Sequence, residues 1–144
     1  MARDLWVALE GDGFHLAYQV QKSVETNQIT GYEALLRWDR PGHGLVSPAD
    51  FIPVAEESGA IGAWVLNTAC ADAAGWPEPY KIAVNISGVQ LAQVELIETV
   101  RNALLRSGLA PSRLELEVTE TSIIADKSRA LHILRQIKAM GISI

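Results

Sequence analysis

Tyr32-Glu33-Ala34-Leu35-Leu36-Arg37-Trp38 has the alternating pattern of a buried β-strand, yet it contains one acid and one base. Side chains alternate between the two faces of a strand, so Glu33, Leu35 and Arg37 share the face opposite the more apolar one. Charged side chains are seldom fully buried without a partner or a metal ion. The segment therefore predicts either a structural ion pair between Glu33 and Arg37 or a functional site on their face.

The composition indicates a soluble globular domain. The chain has 144 residues, of which 49% are hydrophobic and 20% charged, and this length suits one domain. Its net charge of −5 argues against a broad surface for nucleic acid, although a small anion held by metal ions remains compatible with it. No apolar run approaches the roughly 18 residues needed to span a bilayer, and the start lacks the apolar core of a signal peptide. We expect a cytoplasmic region without membrane contact, which is compatible with a membrane-anchored parent protein.

The cysteine and the histidines give no sign of thiol or zinc chemistry. Cys70 lies in an Ala-rich helical segment, where it is expected to be a packed hydrophobe in a reducing compartment. His15, His43 and His132 are far apart and lack the spacing of paired zinc ligands.

Hydrophobic periodicity predicts strands that alternate with helices. The strands are expected at 14–20, 32–38, 81–87 and 114–120, and the helices at 3–10, 47–58, 61–74, 90–107 and 126–140. A turn is expected at 27–31, a loop at 40–44, and the start of a further strand at 142–144. Strands alternating with helices of this length predict an α/β fold whose parallel sheet is covered by helices.

Three polar side chains lie away from the apolar faces of successive predicted strands: Glu33, Asn85 and Glu117. In a β/α barrel, functional residues lie at the carboxyl ends of the strands. Three oxygen-bearing side chains at such a place would suit a hard cation such as Mg²⁺, Mn²⁺ or Ca²⁺. The alternative is structural, with Asn85 capping the following helix and Glu117 paired with a neighbouring cation.

Five motifs make the chain resemble the EAL domains of bacterial cyclic di-GMP phosphodiesterases. They are Tyr18-Gln19, residues 33–38 (Glu-Ala-Leu-Leu-Arg-Trp), residues 47–56 (Ser-Pro-Ala-Asp-Phe-Ile-Pro-Val-Ala-Glu), residues 84–87 (Val-Asn-Ile-Ser) and residues 116–120 (Leu-Glu-Val-Thr-Glu). The motifs occur in the order and spacing of the family over nearly the whole chain.

The resemblance implies a TIM-like (β/α) barrel whose first strand is antiparallel to the others. It also implies hydrolysis of the bacterial second messenger cyclic di-GMP to linear pGpG at a site with two Mg²⁺ or Mn²⁺ ions. The matching residues are Glu33, Asn85 and Glu117 as metal ligands, Gln19 and Arg37 as substrate contacts, and Glu120 as an acid behind the ligands.

Two departures from the family pattern limit what the resemblance implies. Val20 stands where the family usually has Pro, a change expected to affect only local backbone stiffness. The family also continues into an Asp-Asp segment and a catalytic Lys, which would lie beyond Ile144. Residues 1–144 are therefore expected to be the amino-terminal part of a single EAL domain with an incomplete barrel. This part would contain no catalytic residue besides the metal ligands and would be inactive alone.

Two other functions and several partners are compatible with these residues. The first alternative is a cyclic di-GMP receptor or regulatory domain without hydrolytic activity, and the second is an unrelated metal-dependent barrel enzyme. Expected partners are sensory or diguanylate cyclase domains in the parent protein. A second copy could pair with an open sheet edge to form a homodimer.

Overall fold

The computed structural model describes residues 11, 13–40, 42, 44–47, 59–124 and 126–144. In chain order its elements are β1 (Phe14–Lys22), β2 (Ile29–Arg40), β3 (Gly44–Val46), α1 (Gly59–Ala74), β4 (Lys81–Asn85), α2 (Gly88–Leu91), α3 (Glu95–Ser107), a 3₁₀ turn (Pro111–Arg113), β5 (Leu114–Glu117), α4 (Glu120–Ile124) and α5 (Lys127–Lys138). The predicted α/β class is confirmed.

The strands form one mixed sheet in the order β1-β2-β4-β5, and β3 pairs with β2. β1 is antiparallel to β2, whereas β2, β4 and β5 are mutually parallel. This arrangement confirms the expected antiparallel first strand. Beyond β5, Ser143 forms a parallel bridge with Glu115, so the strand expected at 142–144 begins to pair beside β5.

The hydrophobic core lies between one face of the sheet and the helices. Among its buried residues are Ala34, Ile82, Val84, Leu114 and Leu116 from the sheet, and Leu66, Cys70, Val100, Ala103, Ile133 and Ile137 from helices α1, α3 and α5. Because strand side chains alternate, the residues next to these sheet positions lie on the opposite face. That face includes Glu33, Asn85 and Glu117.

An aromatic cluster holds the end of α1 against β1. The Tyr18 hydroxyl donates a hydrogen bond to the carboxylate of Asp72, and Trp76 packs edge-on against Tyr18 and Tyr32 with ring centroids 5.0 Å apart in each pair. Burial, followed by the hydrogen bond to Asp72, raises the pKa of Tyr18 well above its usual value. The tyrosine therefore stays neutral and acts as a hydrogen-bond donor that fixes β1 to the helical layer.

Arg113 stabilises the connection from α1 to β4. Its guanidinium donates hydrogen bonds to the carbonyl oxygens of Tyr80 at 2.9 Å, Ala73 at 3.1 Å and Trp76 at 3.2 Å. The last carbonyls of a helix lack partners within the helix, and a cation near them is favourable. One side chain before β5 thus fixes the chain that leads into β4.

Several predicted boundaries are wrong because local hydrogen bonds start or end elements elsewhere. The expected turn at 27–31 is shorter, since β2 already begins at Ile29. The loop expected at 40–44 is shorter, because its first and last residues belong to strands: Arg40 of β2 pairs with Gly44 of β3. The strand expected at 81–87 ends at Asn85, because Ser87 caps the next helix.

The single helix expected at 90–107 is two helices, α2 and α3. A capping box at Ser87 starts α2 before residue 90. Glu95 and Glu98 lie in the first turn of α3, where acids stabilise a helix N-terminus. The strand expected at 114–120 likewise ends at Glu117, and Glu120 begins α4 instead.

Two expectations concern residues that the structure does not describe. These are the helix expected at 3–10 and, apart from Ser47, the helix expected at 47–58. Within the described residues, no helix is long and apolar enough to cross a bilayer.

We expect Gly31→Ala to destabilise the protein, because Gly31 pairs with Lys81 where β2 meets β4. A Cβ atom at Gly31 would lie well under 3.0 Å from the Lys81 carbonyl oxygen, and backbone in a central strand pair cannot move aside easily. The expected loss is about 1–3 kcal/mol in the free energy of unfolding, as for other overpacked sites. Gly75→Ala is the matched control, since its Cβ would make an ordinary 3.5 Å contact. Urea unfolding with equal losses for the two variants would contradict this account.

Candidate functional site

Glu33 and Asn85 are in direct contact on the face of the sheet opposite α1, α3 and α5. Asn85 Nδ2 donates to Glu33 Oε2 at 3.0 Å. Glu33 pairs with Ala83 of β4 and, on its other side, with Gln19 of β1. Gln19 and Asn85 thus flank the Glu33 carboxylate from the two neighbouring strands.

Glu117 completes this group from the next strand. It is the last residue of β5 and lies opposite Asn85, the last residue of β4. Glu117 Oε1 accepts a hydrogen bond from Gln21 Nε2 at 3.1 Å. The Ile86 amide donates to the Glu117 backbone carbonyl at 2.9 Å, which keeps the ends of the two strands together.

A capping box positions Asn85 at the end of β4. The Ser87 hydroxyl accepts from the Gln90 amide at 3.2 Å, and Gln90 Oε1 accepts from the Ser87 amide at 3.0 Å. The Gln90 side chain also lies directly on Gly62 of α1, where a Cβ atom would clash with it. The chain that follows Asn85 is therefore fixed locally by the hydrogen bonds of the capping box and lies against α1 through the close packing of Gln90 on Gly62.

The structural alternatives for these residues are wrong. Among the described side chains, Glu33 and Arg37 form no ion pair, and Arg37 Nη1 donates to the Leu36 carbonyl at 3.1 Å. The helix cap after β4 is Ser87 rather than Asn85. Glu117 accepts from the neutral amide of Gln21 rather than from a cation. The ion pair, the helix cap and the pairing with a cation therefore do not explain why these polar residues are present.

The expected location at strand ends holds for Asn85 and Glu117 but not for Glu33. β2 continues to Arg40 because it pairs with β1 and β3 beyond its parallel contact with β4. The parallel pairing of β2 with β4 ends at Ala34, one residue after Glu33. The Glu33 carboxylate therefore lies close to Asn85, although β2 itself continues to Arg40.

Glu120 and Arg37 are less closely connected to this group. Glu120 is exposed at the first position of α4, and no described contact joins it to Glu33, Asn85 or Glu117. Arg37 is half-buried and follows Glu33 by four residues, so alternation places it on the same face of β2. The structure therefore groups Gln19, Glu33, Asn85 and Glu117, with Arg37 further along β2.

The donor set fits a hard divalent cation. Two carboxylates and one amide oxygen match the ligands that Mg²⁺ and Mn²⁺ prefer, and the Asn85 oxygen is not the atom that contacts Glu33. Within the described ranges, no three His, Cys, Asp or Glu side chains form a metal-binding group, so a third donor in this group would have to be an amide oxygen such as that of Asn85. Burial raises the pKa of the Cys70 thiol to about 12, so this side chain is a neutral, packed group of the core.

Gln21 is a site residue that the sequence analysis missed. It follows Gln19 by two positions on β1, and this spacing places both amides on one face of the strand. The repeated Gln was a usable signal, but only the curvature of the sheet brings Gln21 to Glu117.

A mixed sheet with an antiparallel first strand, and with Glu33 beside Asn85 and Glu117 at the ends of its parallel strands, defines an α/β domain with a candidate metal site. The chain belongs to the EAL domain family, whose model matches residues 2–144.

Named relatives and a solved structure agree with this assignment. The bifunctional diguanylate cyclase/cyclic di-GMP phosphodiesterase MucR of Pseudomonas aeruginosa is 44% identical over 100% of this chain and 22% of its own length. A signaling protein of Caulobacter vibrioides is 46% identical over 100% of this chain and 18% of its own length. The solved structure of the MucR phosphodiesterase in complex with c-di-GMP has a TM-score of 0.90 and 44% identity, and the match covers 97% of this chain and 60% of that one. The chain thus spans only part of the proteins that it matches.

Proposed function

We propose that this chain is the amino-terminal part of an EAL domain that hydrolyses cyclic di-GMP to linear pGpG. The relatives named for this activity and the similarity to a c-di-GMP complex support the substrate. The observation on which the proposal depends most is the group formed by Glu33, Asn85 and Glu117, in which a carboxylate and an amide are in contact and a second carboxylate lies on the adjacent strand.

We assign Glu33, Asn85 and Glu117 as ligands of divalent cations, with Mg²⁺ and Mn²⁺ as the ions that this oxygen donor set favours. Two such cations, when bound, would supply Lewis acidity and lower the pKa of a bound water. Because Ser87 and Gln90 fix the chain after β4, the Asn85 donor is held in place before a cation arrives. Glu120 is proposed as an acid that supports the ligands from the start of α4.

Substrate binding is assigned to Gln19 and Arg37. The Arg37 guanidinium is planar and can donate two parallel hydrogen bonds to a phosphate. Gln19 lies opposite Glu33 across β1 and β2, so its amide borders the proposed metal site. Hydrolysis adds the oxygen of water to phosphorus and breaks one bond from phosphorus to a 3′-oxygen, which takes up a proton.

The remaining parts of the proposal concern the parent protein. Further ligands and a catalytic Lys would come from chain beyond residue 144, and sensory or diguanylate cyclase domains would adjoin the domain. A second copy pairing at an open sheet edge is retained as a dimer hypothesis. We propose a cytoplasmic location because Cys70 is an unpaired thiol, as is usual in a reducing compartment.

In a complete domain containing these residues, Glu33→Gln should abolish most metal-dependent formation of pGpG while leaving the fold intact. The amide keeps the shape of the side chain but loses a negative charge, which contributes strongly to the affinity of an oxygen site for a divalent cation. Chromatographic detection of pGpG gives the rate, and circular dichroism checks the fold. Glu25→Gln makes the same charge change on an exposed residue of the β1–β2 connection and should retain the rate. Full turnover by Glu33→Gln at saturating Mg²⁺ would disprove the ligand assignment, and binding without hydrolysis by the wild-type domain would indicate a receptor.

Arg37→Lys should weaken cyclic di-GMP binding by the complete domain, because it keeps the charge but loses the planar pair of donors. A loss of about tenfold in affinity, worth about 1.4 kcal/mol, is expected by calorimetry. Arg101→Lys, on the exposed side of α3, is the matched control. Equal affinities for the wild type and Arg37→Lys would rule out a phosphate contact.

The 144 residues alone should not hydrolyse cyclic di-GMP. Their three proposed ligands are too few to hold two cations, and none of the assigned residues is placed to accept a proton from the attacking water. The purified segment and the complete domain can be compared in the same pGpG assay. Metal-dependent product from the segment, abolished by Glu33→Gln in that segment, would overturn this expectation.

A further inference from the structure

Gln21 contacts a proposed metal ligand, although its own role is unassigned. Its Nε2 atom donates to Glu117 Oε1 at 3.1 Å in a part-buried setting, and 96 residues separate the two in sequence. Strands β2 and β4 lie between β1 and β5 in the sheet. The hydrogen bond therefore joins two strands that are not paired with each other and crosses over the face of the sheet between them. Such a contact fixes one carboxylate oxygen and leaves the other available.

The backbone of β1 holds Gln21 in this position. Its residues pair regularly with β2 as far as Gln21, which lies opposite Gly31, and the register shifts between Gln21 and Lys22. The Thr30 hydroxyl donates to the Gln21 carbonyl at 3.3 Å on the β2 side. Irregular pairing of this kind changes the direction of side chains at sheet edges and near functional sites.

We infer that Gln21 is a positioning residue that orients the Glu117 carboxylate toward a divalent cation, an inference that rests on the proposed function. Its neutral amide occupies Oε1 and thereby directs Oε2 to the metal. An amide is suited to this task because it donates a hydrogen bond without bringing a second positive charge close to the cation. Residues that hydrogen-bond to metal ligands in this way typically change metal affinity about 10–100-fold when they are replaced.

Direct binding of Mn²⁺ to the complete domain tests this role, because it requires no turnover. Gln21→Met keeps the length of the side chain and removes the donor, and it should weaken Mn²⁺ binding about tenfold, the lower end of that range. Gln21→Thr suits a strand but is too short to reach Glu117, and it should give the same loss. Gln28→Met is the matched control, since Gln28 is exposed in the β1–β2 connection and should bind Mn²⁺ like the wild type. Electron paramagnetic resonance of free Mn²⁺ gives the dissociation constants, and the pGpG rate is measured against Mn²⁺ concentration in parallel.

The outcomes separate this inference from the proposed function. Unchanged Mn²⁺ affinity in both Gln21 variants would overturn the positioning role. The same holds if their melting temperature falls while their Mn²⁺ affinity stays the same. A wild-type domain that fails to bind Mn²⁺ would overturn the metal site and the inference together. Weakened Mn²⁺ binding in both Gln21 variants, together with a wild-type domain that binds Mn²⁺ but forms no pGpG, would support the inference and refute the proposed hydrolysis. Weakened Mn²⁺ binding with pGpG formation restored at high Mn²⁺ is the expected result.

Discussion

Burial of one face of the sheet under α1, α3 and α5 is the constraint on which the rest of the structure depends. Ala34, Val84 and Leu116 occupy equivalent positions on neighbouring strands and are almost fully buried. Burying such side chains contributes most of the favourable free energy of folding, at roughly 25 cal/mol per Å² of apolar surface. Because the side-chain period of a strand is two, fixing these residues fixes their neighbours on the opposite face. A shift of one residue in the pairing register of a strand would put Glu33 or Glu117 in the apolar core, and removing these carboxylates from water would cost much free energy.

The face of the sheet that carries Glu33, Asn85 and Glu117 is organised by hydrogen bonds between residues far apart in the sequence. The pair formed by Asn85 and Glu33 joins β4 to β2, and Gln21 reaches Glu117 from β1. Each acceptor is a carboxylate and each donor a neutral amide, so the negative charge is hydrogen-bonded without being neutralised. A face of this kind attracts divalent cations, and the chain's net charge of −5 is compatible with that attraction.

Rigid connections outside the site hold the strand ends in place. Arg113 fixes the carbonyl oxygens between α1 and β4, and Gln90 ties the chain after Asn85 to Gly62 of α1. On the other side of the site, the Ser122 amide donates to the Thr119 hydroxyl at 3.2 Å and begins α4 directly after β5. The proposed metal ligands would have to be held accurately to be effective, and side chains on braced strands meet this requirement better than side chains on long loops.

The sequence by itself determined the α/β class, the principal strands and the faces on which Glu33, Asn85 and Glu117 lie, because these follow from a period of two and from the alternation of strands with helices. Its motifs also indicated the family. Helix and strand ends were less predictable, since the capping box at Ser87 and the early start of α4 depend on which local hydrogen bonds form. Only the tertiary structure decided that Glu33 contacts Asn85 rather than Arg37 and that Gln21 belongs with Glu117. Such contacts depend on strand order, register and sheet curvature, which bring residues 52 and 96 positions apart within hydrogen-bonding distance.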